Sequence, residues 1–122
     1  MNILEPFHDW DDMVELDARV NIFSEDAPAD YLYVIVSGEV ELKRRGESLG
    51  VEKAGGMIGM LALVPGATRS ATAETRTPVR LARLDREQLE SVVQQNAQFS
   101  MHVMKVLANR LRAVDRFITD RM

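Results

Sequence analysis

The chain has 122 residues, 46% hydrophobic and 28% charged, the length and composition of one globular domain spanning 1–122. It contains no cysteine, which excludes a disulfide framework, a cysteine nucleophile and a thiolate-held iron–sulfur cluster. The net charge of −4 is uneven: residues 1–30 carry nine carboxylates against Arg19 alone, and no dense Lys/Arg stripe follows. An acidic surface repels phosphate backbones, so nucleic acid is not an expected direct partner. No apolar run approaches the roughly 18 residues that a membrane span needs, so no membrane partner is expected. The first ten residues are acidic and read as neither a signal nor a transit peptide, and the expected compartment is the cytoplasm.

In chain order, Val14, Leu16, Ala18, Val20 and Ile22 alternate with polar residues, which predicts a half-buried strand bent near Asp17. Asp26-Ala27-Pro28-Ala29-Asp30 is a turn. Tyr31 to Val36 is a β-branched and aromatic run, as in a strand buried on both faces. Val40 and Leu42 lie on the next strand, Arg44-Arg45-Gly46-Glu47 forms a hairpin turn, and Ser48 to Val51 returns. Strands are also predicted at Ser70–Ala73 and Val79–Leu84. About seven short strands with frequent turns predict an antiparallel β-roll over 14–84, a jelly roll or double-stranded β-helix. The fold class is therefore mainly β with C-terminal helices over 85–120. Asp85 and Gln88 have capping-box spacing for a short helix, and after Asn96 a long helix of about 35 Å runs from Ala97 towards Asp120.

On a helical wheel the long helix carries two apolar stripes. The first is Met104, Leu107, Ala108, Leu111, Val114 and Ile118. The second is Phe99, Val103, Val106, Arg110, Ala113 and Phe117, with the four–three spacing of a coiled-coil seam. Two stripes need two surfaces. The preferred expectation is a homodimer whose seam is the second stripe; the alternative is that the β-roll or the N-terminal segment covers it.

The stretch that suits a ligand is Gly55-Gly56-Met57-Ile58-Gly59, a short apolar turn, then Thr68-Arg69-Ser70-Ala71-Thr72. Gly59 allows close backbone approach, the start of a helical turn at Met60–Val64 attracts negative charge, Arg69 offers a forked donor and Ser70 a hydroxyl. Residue types alone favour an exposed turn with a solvated arginine.

Gly59-Met60-Leu61-Ala62-Leu63 followed by Thr68-Arg69-Ser70-Ala71-Thr72 resembles the phosphate-binding cassette of the cyclic-nucleotide-binding domain family. Ile22-Phe23 through Val40 is similar to that family's strand–turn–strand entry, and Asn109-Arg110-Leu111-Arg112 to the end of its long helix; the resemblance covers roughly 18–115. It implies a phosphate held by the loop Gly59, Met60, Leu61 and Ala62, through the backbone N–H groups of Leu61 and Ala62, and by Arg69 and Ser70. Met60 stands where the family has a glutamate for the ribose 2′-hydroxyl, Thr68 where it has proline, and Asp26 where a turn glycine is usual. Val114 and Asp115 align with a base-contacting Thr-Ser pair. The phosphate half of the pocket is kept and the ribose and base half is changed. Regulators of this family continue into a helix-turn-helix, whereas this sequence ends at Met122, so the resemblance implies a stand-alone sensor or dimerising module.

His8, Asp9, Asp11 and Asp12 read as a solvated acidic face and not as metal ligands, and His102 as exposed. Met57 and Met60 fit either a core or a pocket wall, and Tyr31 and Tyr33 a core. No nucleophile motif or placed carboxylate pair suggests an enzyme, and no cofactor is required. The expected function is a ligand-sensing regulatory module for a cyclic nucleotide or another small anion, reporting to an unidentified protein partner. The alternative is a dimerisation or scaffold domain that kept the fold and lost the ligand.

Overall fold

The computed structural model describes residues 3–121, with side chains through residue 113. Eight antiparallel strands form two four-stranded sheets, ordered β1-β8-β3-β6 and β2-β7-β4-β5. The strands are β1 (Met13–Leu16), β2 (Asn21–Phe23), β3 (Leu32–Ser37), β4 (Val40–Arg44), β5 (Glu47–Glu52), β6 (Met57–Ile58), β7 (Thr72–Thr75) and β8 (Val79–Leu84). Two helices follow, α1 (Arg86–Gln95) and α2 (Ala97–Arg121).

The bend expected near Asp17 is a change of sheet: β1 pairs with β8 and β2 with β7. Thr75, fully buried, closes this corner. Its Oγ1 donates to the Asp17 carbonyl at 2.6 Å and accepts from the Val20 N–H at 2.8 Å, while its own backbone bonds Arg19 and Val20. A hydroxyl buried here is fully used.

Strand β3 explains its own unbroken apolar run. Leu32 and Val34 face a core shared with the helices, while Tyr33 and Ile35 face the core between the sheets. The period of two is present, but both faces are covered. The β4–β5 hairpin turns at Arg45 and Gly46, both at positive φ (52° and 81°), as a primed two-residue turn requires. Strand β6 is an eighth strand, two residues long, inside the glycine-rich stretch. Strand β7 begins two residues later than its pattern suggests, because the Arg69 backbone pairs instead with the β2–β3 turn: Asp26 N–H to Arg69 O, 2.9 Å, and Arg69 N–H to Ala27 O, 2.8 Å. Asp26 sits at φ 67°, the conformation for which the family uses glycine.

The α1 capping box is formed: Gln88 N–H donates to Asp85 Oδ1 at 2.8 Å and Gln88 Oε1 accepts from Asp85 N–H at 2.9 Å. Over the described side chains, the first part of the α2 seam stripe packs in this chain and part of the other stripe is bare. Phe99 and Val103 of the expected dimer seam are buried in this chain's own core, Val106 packs against it, and Arg110 Nη2 donates to the Met57 carbonyl. Phe7, carried by a 3-10 turn at Glu5–Phe7, meets Phe99 edge-on at 5.1 Å. Ala113 is exposed, and the Phe117 side chain lies outside the described residues. The stripe left bare is Met101, Met104, Leu107 and Leu111, between 42% and 64% exposed. Four–three spacing marks a face that packs on something; it does not say whether the partner is the same chain.

Three other sequence expectations change. Asp12 is ion-paired with Arg83 at 2.8 Å, whose guanidinium also lies over Tyr31, and Tyr31 is exposed where a core tyrosine was expected. His102 is half-buried, with Nε2 2.6 Å from the Gly55 carbonyl oxygen.

Candidate functional site

The glycine-rich stretch and α2 enclose a cavity of about 620 Å³, a size suited to a small ligand. The second sheet contributes Phe23 and Leu42, the loop contributes Ile58 to Leu61 and Arg69 to Ala71, and α2 contributes Leu107 and Arg110. An open groove of about 650 Å³ beside Glu15, Asp17 and Arg80 is larger, but its arginine already pairs with Glu15 at 3.1 Å.

Gly59 sets the loop. Its φ is 76°, and a Cβ there would stand 2.7 Å from Arg69 Nη1 and 3.0 Å from the Tyr31 carbonyl oxygen. A side chain at position 59 would therefore be strained and would displace the arginine. A 3-10 turn follows at Met60–Leu63, the helical turn expected there. The Ala62 N–H is used inside it, donating to Gly59 O at 3.0 Å. Ala62 does not line the cavity, whereas Gly59, Met60, Leu61, Arg69 and Ser70 do.

Arg69 is 5% exposed. Its guanidinium lies over the Phe23 ring, 4.1 Å from the centroid, and Nη1 donates to Gly59 O at 3.3 Å. Its Nε has no hydrogen-bond partner and is the one buried side-chain polar atom so left among the described residues. Burial lowers its pKa below the ordinary arginine value, while Tyr33 and Asp30 act in the opposite direction; the group stays protonated. A buried cation with an unfilled donor is costly without an anion. Arg110, half-buried, is also lowered by burial, with Glu52 opposing. Neither arginine has an ion-pair partner among the described residues.

Leu107 and Arg110 are cavity residues that sequence patterning placed elsewhere. The available signal was Arg110 itself, a charge inside an apolar stripe. Val114 and Asp115 have side chains outside the described residues.

The family model for the cyclic nucleotide-binding domain matches residues 13–96. The chain belongs to the cyclic nucleotide-binding domain family. Within that family it is 33% identical over 104 residues to a CRP-like cAMP-activated global transcriptional regulator of Mycobacterium tuberculosis, an overlap of 81% of this chain and 46% of the regulator. It is 36% identical over 84 residues to the cGMP-dependent protein kinase egl-4 of Caenorhabditis briggsae, covering 67% of this chain and 11% of the kinase. The Thermus thermophilus catabolite activator protein superposes with a TM-score of 0.75 at 25% identity, over 88% of this chain and 53% of that one. The chain thus spans about half the length of the mycobacterial regulator. No helix among the described residues is long and apolar enough to cross a membrane.

Proposed function

We propose that this chain is a ligand-sensing regulatory domain in which a small anion binds in the cavity between the Gly59–Ser70 loop and α2. The observation that carries this reading is Arg69, a buried arginine of the cavity wall with no ion-pair partner among the described residues and with its Nε unbonded. Its forked donors suit a phosphate, and Ser70 adds a hydroxyl from the neighbouring position. The mycobacterial regulator is cAMP-activated and the Caenorhabditis briggsae kinase is cGMP-dependent, which makes cyclic AMP and cyclic GMP the first compounds to test. Met60 works against tight binding of either, because a thioether accepts only weakly from a ribose hydroxyl where a carboxylate accepts strongly. Leu107 connects site to output: it lines the cavity and belongs to the bare stripe of α2. A filled cavity would therefore alter the surface that α2 presents.

Thermal unfolding against a panel of nucleotides and simple phosphates tests this function. A ligand at about 100 times its Kd adds roughly 2.7 kcal/mol, a clear rise in Tm for a domain of this size. Absence of any shift that requires Arg69 leaves the scaffold alternative.

The same reading includes a homodimer, now through Met101, Met104, Leu107 and Leu111. These side chains are exposed on one face of α2, and burying one apolar side chain contributes about 1.5–3 kcal/mol. Leu111→Glu is expected to give a folded monomer in sedimentation where the parent chain is dimeric at tens of micromolar. A parent chain that is already monomeric removes the dimer from the proposal.

A further inference from the structure

Among the described residues the cavity wall holds three hydrogen-bonding side chains, Arg69, Ser70 and Arg110; every other lining residue is apolar or glycine. Two of the three are guanidiniums, which donate and never accept. An anionic head group meets what it needs there. A sugar diol does not, because its O–H donors find no side-chain acceptor in the wall beyond the Ser70 hydroxyl. The rim continues the same chemistry. Leu61, Val64 and Leu107 all line the cavity and are 37%, 52% and 42% exposed. Single exposed apolar side chains are ordinary, but several converging on one cavity beside a buried and a half-buried cation mark a binding surface.

Resting on the ligand-sensing function proposed above, we infer that the ligand is an amphipathic anion. Its head is a phosphate monoester or carboxylate gripped by Arg69, with Arg110 as the second cation. Its body is aliphatic or aromatic, without sugar hydroxyls, and covers Met60, Leu61, Val64 and Leu107. Arg110 would exchange its bond to the Met57 carbonyl for the ligand, and the Arg69 guanidinium would gain the anion that it lacks among the described residues. Both guanidiniums are thus provided for by one charged group, and the apolar rim by one hydrocarbon surface.

Octyl phosphate and ribose 5-phosphate share a head group and differ in the body, so calorimetry with the two isolates the inference. Octyl phosphate, kept below its aggregation concentration, is expected to bind at least ten-fold more tightly than ribose 5-phosphate or cyclic AMP. Arg69→Ala is expected to remove that binding. Since loss of a buried arginine can disturb the loop, Arg69→Lys keeps the charge without the fork and should fold and bind several-fold more weakly. If ribose 5-phosphate or cyclic AMP binds as tightly as octyl phosphate and needs Arg69, the apolar ligand class is overturned and the sensing function stands. Octyl phosphate binding unchanged by both substitutions places the amphiphile on the bare face of α2 and also overturns the class. If none of the three compounds binds, the ligand class is overturned; the sensing function stands if the nucleotide and phosphate panel still gives a shift that requires Arg69, and fails with it if the panel gives none.

Discussion

Met60→Glu is expected to tighten cyclic AMP binding by about 10- to 150-fold, because a carboxylate facing a ribose hydroxyl makes a charge-assisted hydrogen bond of about 1.5–3 kcal/mol. The position is suited to the gain. Met60 opens the 3-10 turn directly after Gly59, is 9% exposed and lines the cavity. In the parent chain a ribose hydroxyl brought to this point loses water and meets a thioether. The substitution has an opposite effect on the empty protein. Met60 also belongs to the core shared with the helices, and a carboxylate there is desolvated, with Arg69 and Arg110 on the same cavity wall as partial compensation. The variant should therefore melt lower than the parent when empty and gain more Tm with cyclic AMP. It should also bind octyl phosphate less well, since the new charge opposes the head group. Calorimetry and melting on both proteins measure all of this. Unchanged cyclic AMP affinity would mean that the ribose does not lie at residue 60. Micromolar binding by the parent chain would mean that Met60 is no handicap.

The second large effect concerns stability. Phe99→Ala is expected to destabilise the fold by about 3–5 kcal/mol, as other buried phenylalanine truncations do. Phe99 is fully buried, and its ring sits against Phe7 at 5.1 Å and near His102 at 6.3 Å. Truncation leaves a cavity between the N-terminal turn, α2 and the β-roll, and Phe7 loses the surface that orders it. A loss of that size is a substantial part of the about 5–15 kcal/mol that holds a typical domain folded. Urea titration reads it directly. Leu111→Glu, on the bare stripe, should leave the folded monomer's stability within about 0.5 kcal/mol. The reverse result, a stable but dissociated Phe99→Ala protein, would restore the seam that the four–three spacing suggested and contradict the in-chain packing of α2.

These two residues show how far sequence patterning reaches. Gly59, the turn after it, Arg69 and Ser70 are legible as a loop able to meet an anion, because each acts through its own chemistry or that of close neighbours. Arg110 and Leu107 are not legible as part of the same site. They reach the loop across about 50 residues of chain, and only the packing of α2 on β6 brings them there.

The amino-acid sequence by itself determined the alternating strands, the positive-φ turn at Arg45-Gly46, the Asp85–Gln88 cap and the order of strands before helices. All of these are set by interactions within a few residues, so periodicity and turn chemistry record them. The tertiary structure decided the rest. Thr75 splits the 13–23 run between two sheets, reaching Asp17 over 58 positions, and Arg83 draws Asp12 out of the acidic face over 71. Phe7 covers Phe99, so Phe99 and Val103 of the stripe with seam spacing lie inside the monomer, while Met104, Leu107 and Leu111 of the other stripe are exposed. An apolar face records that it must be covered and carries no information about which distant segment covers it; that depends on the summed packing of residues far apart in the chain.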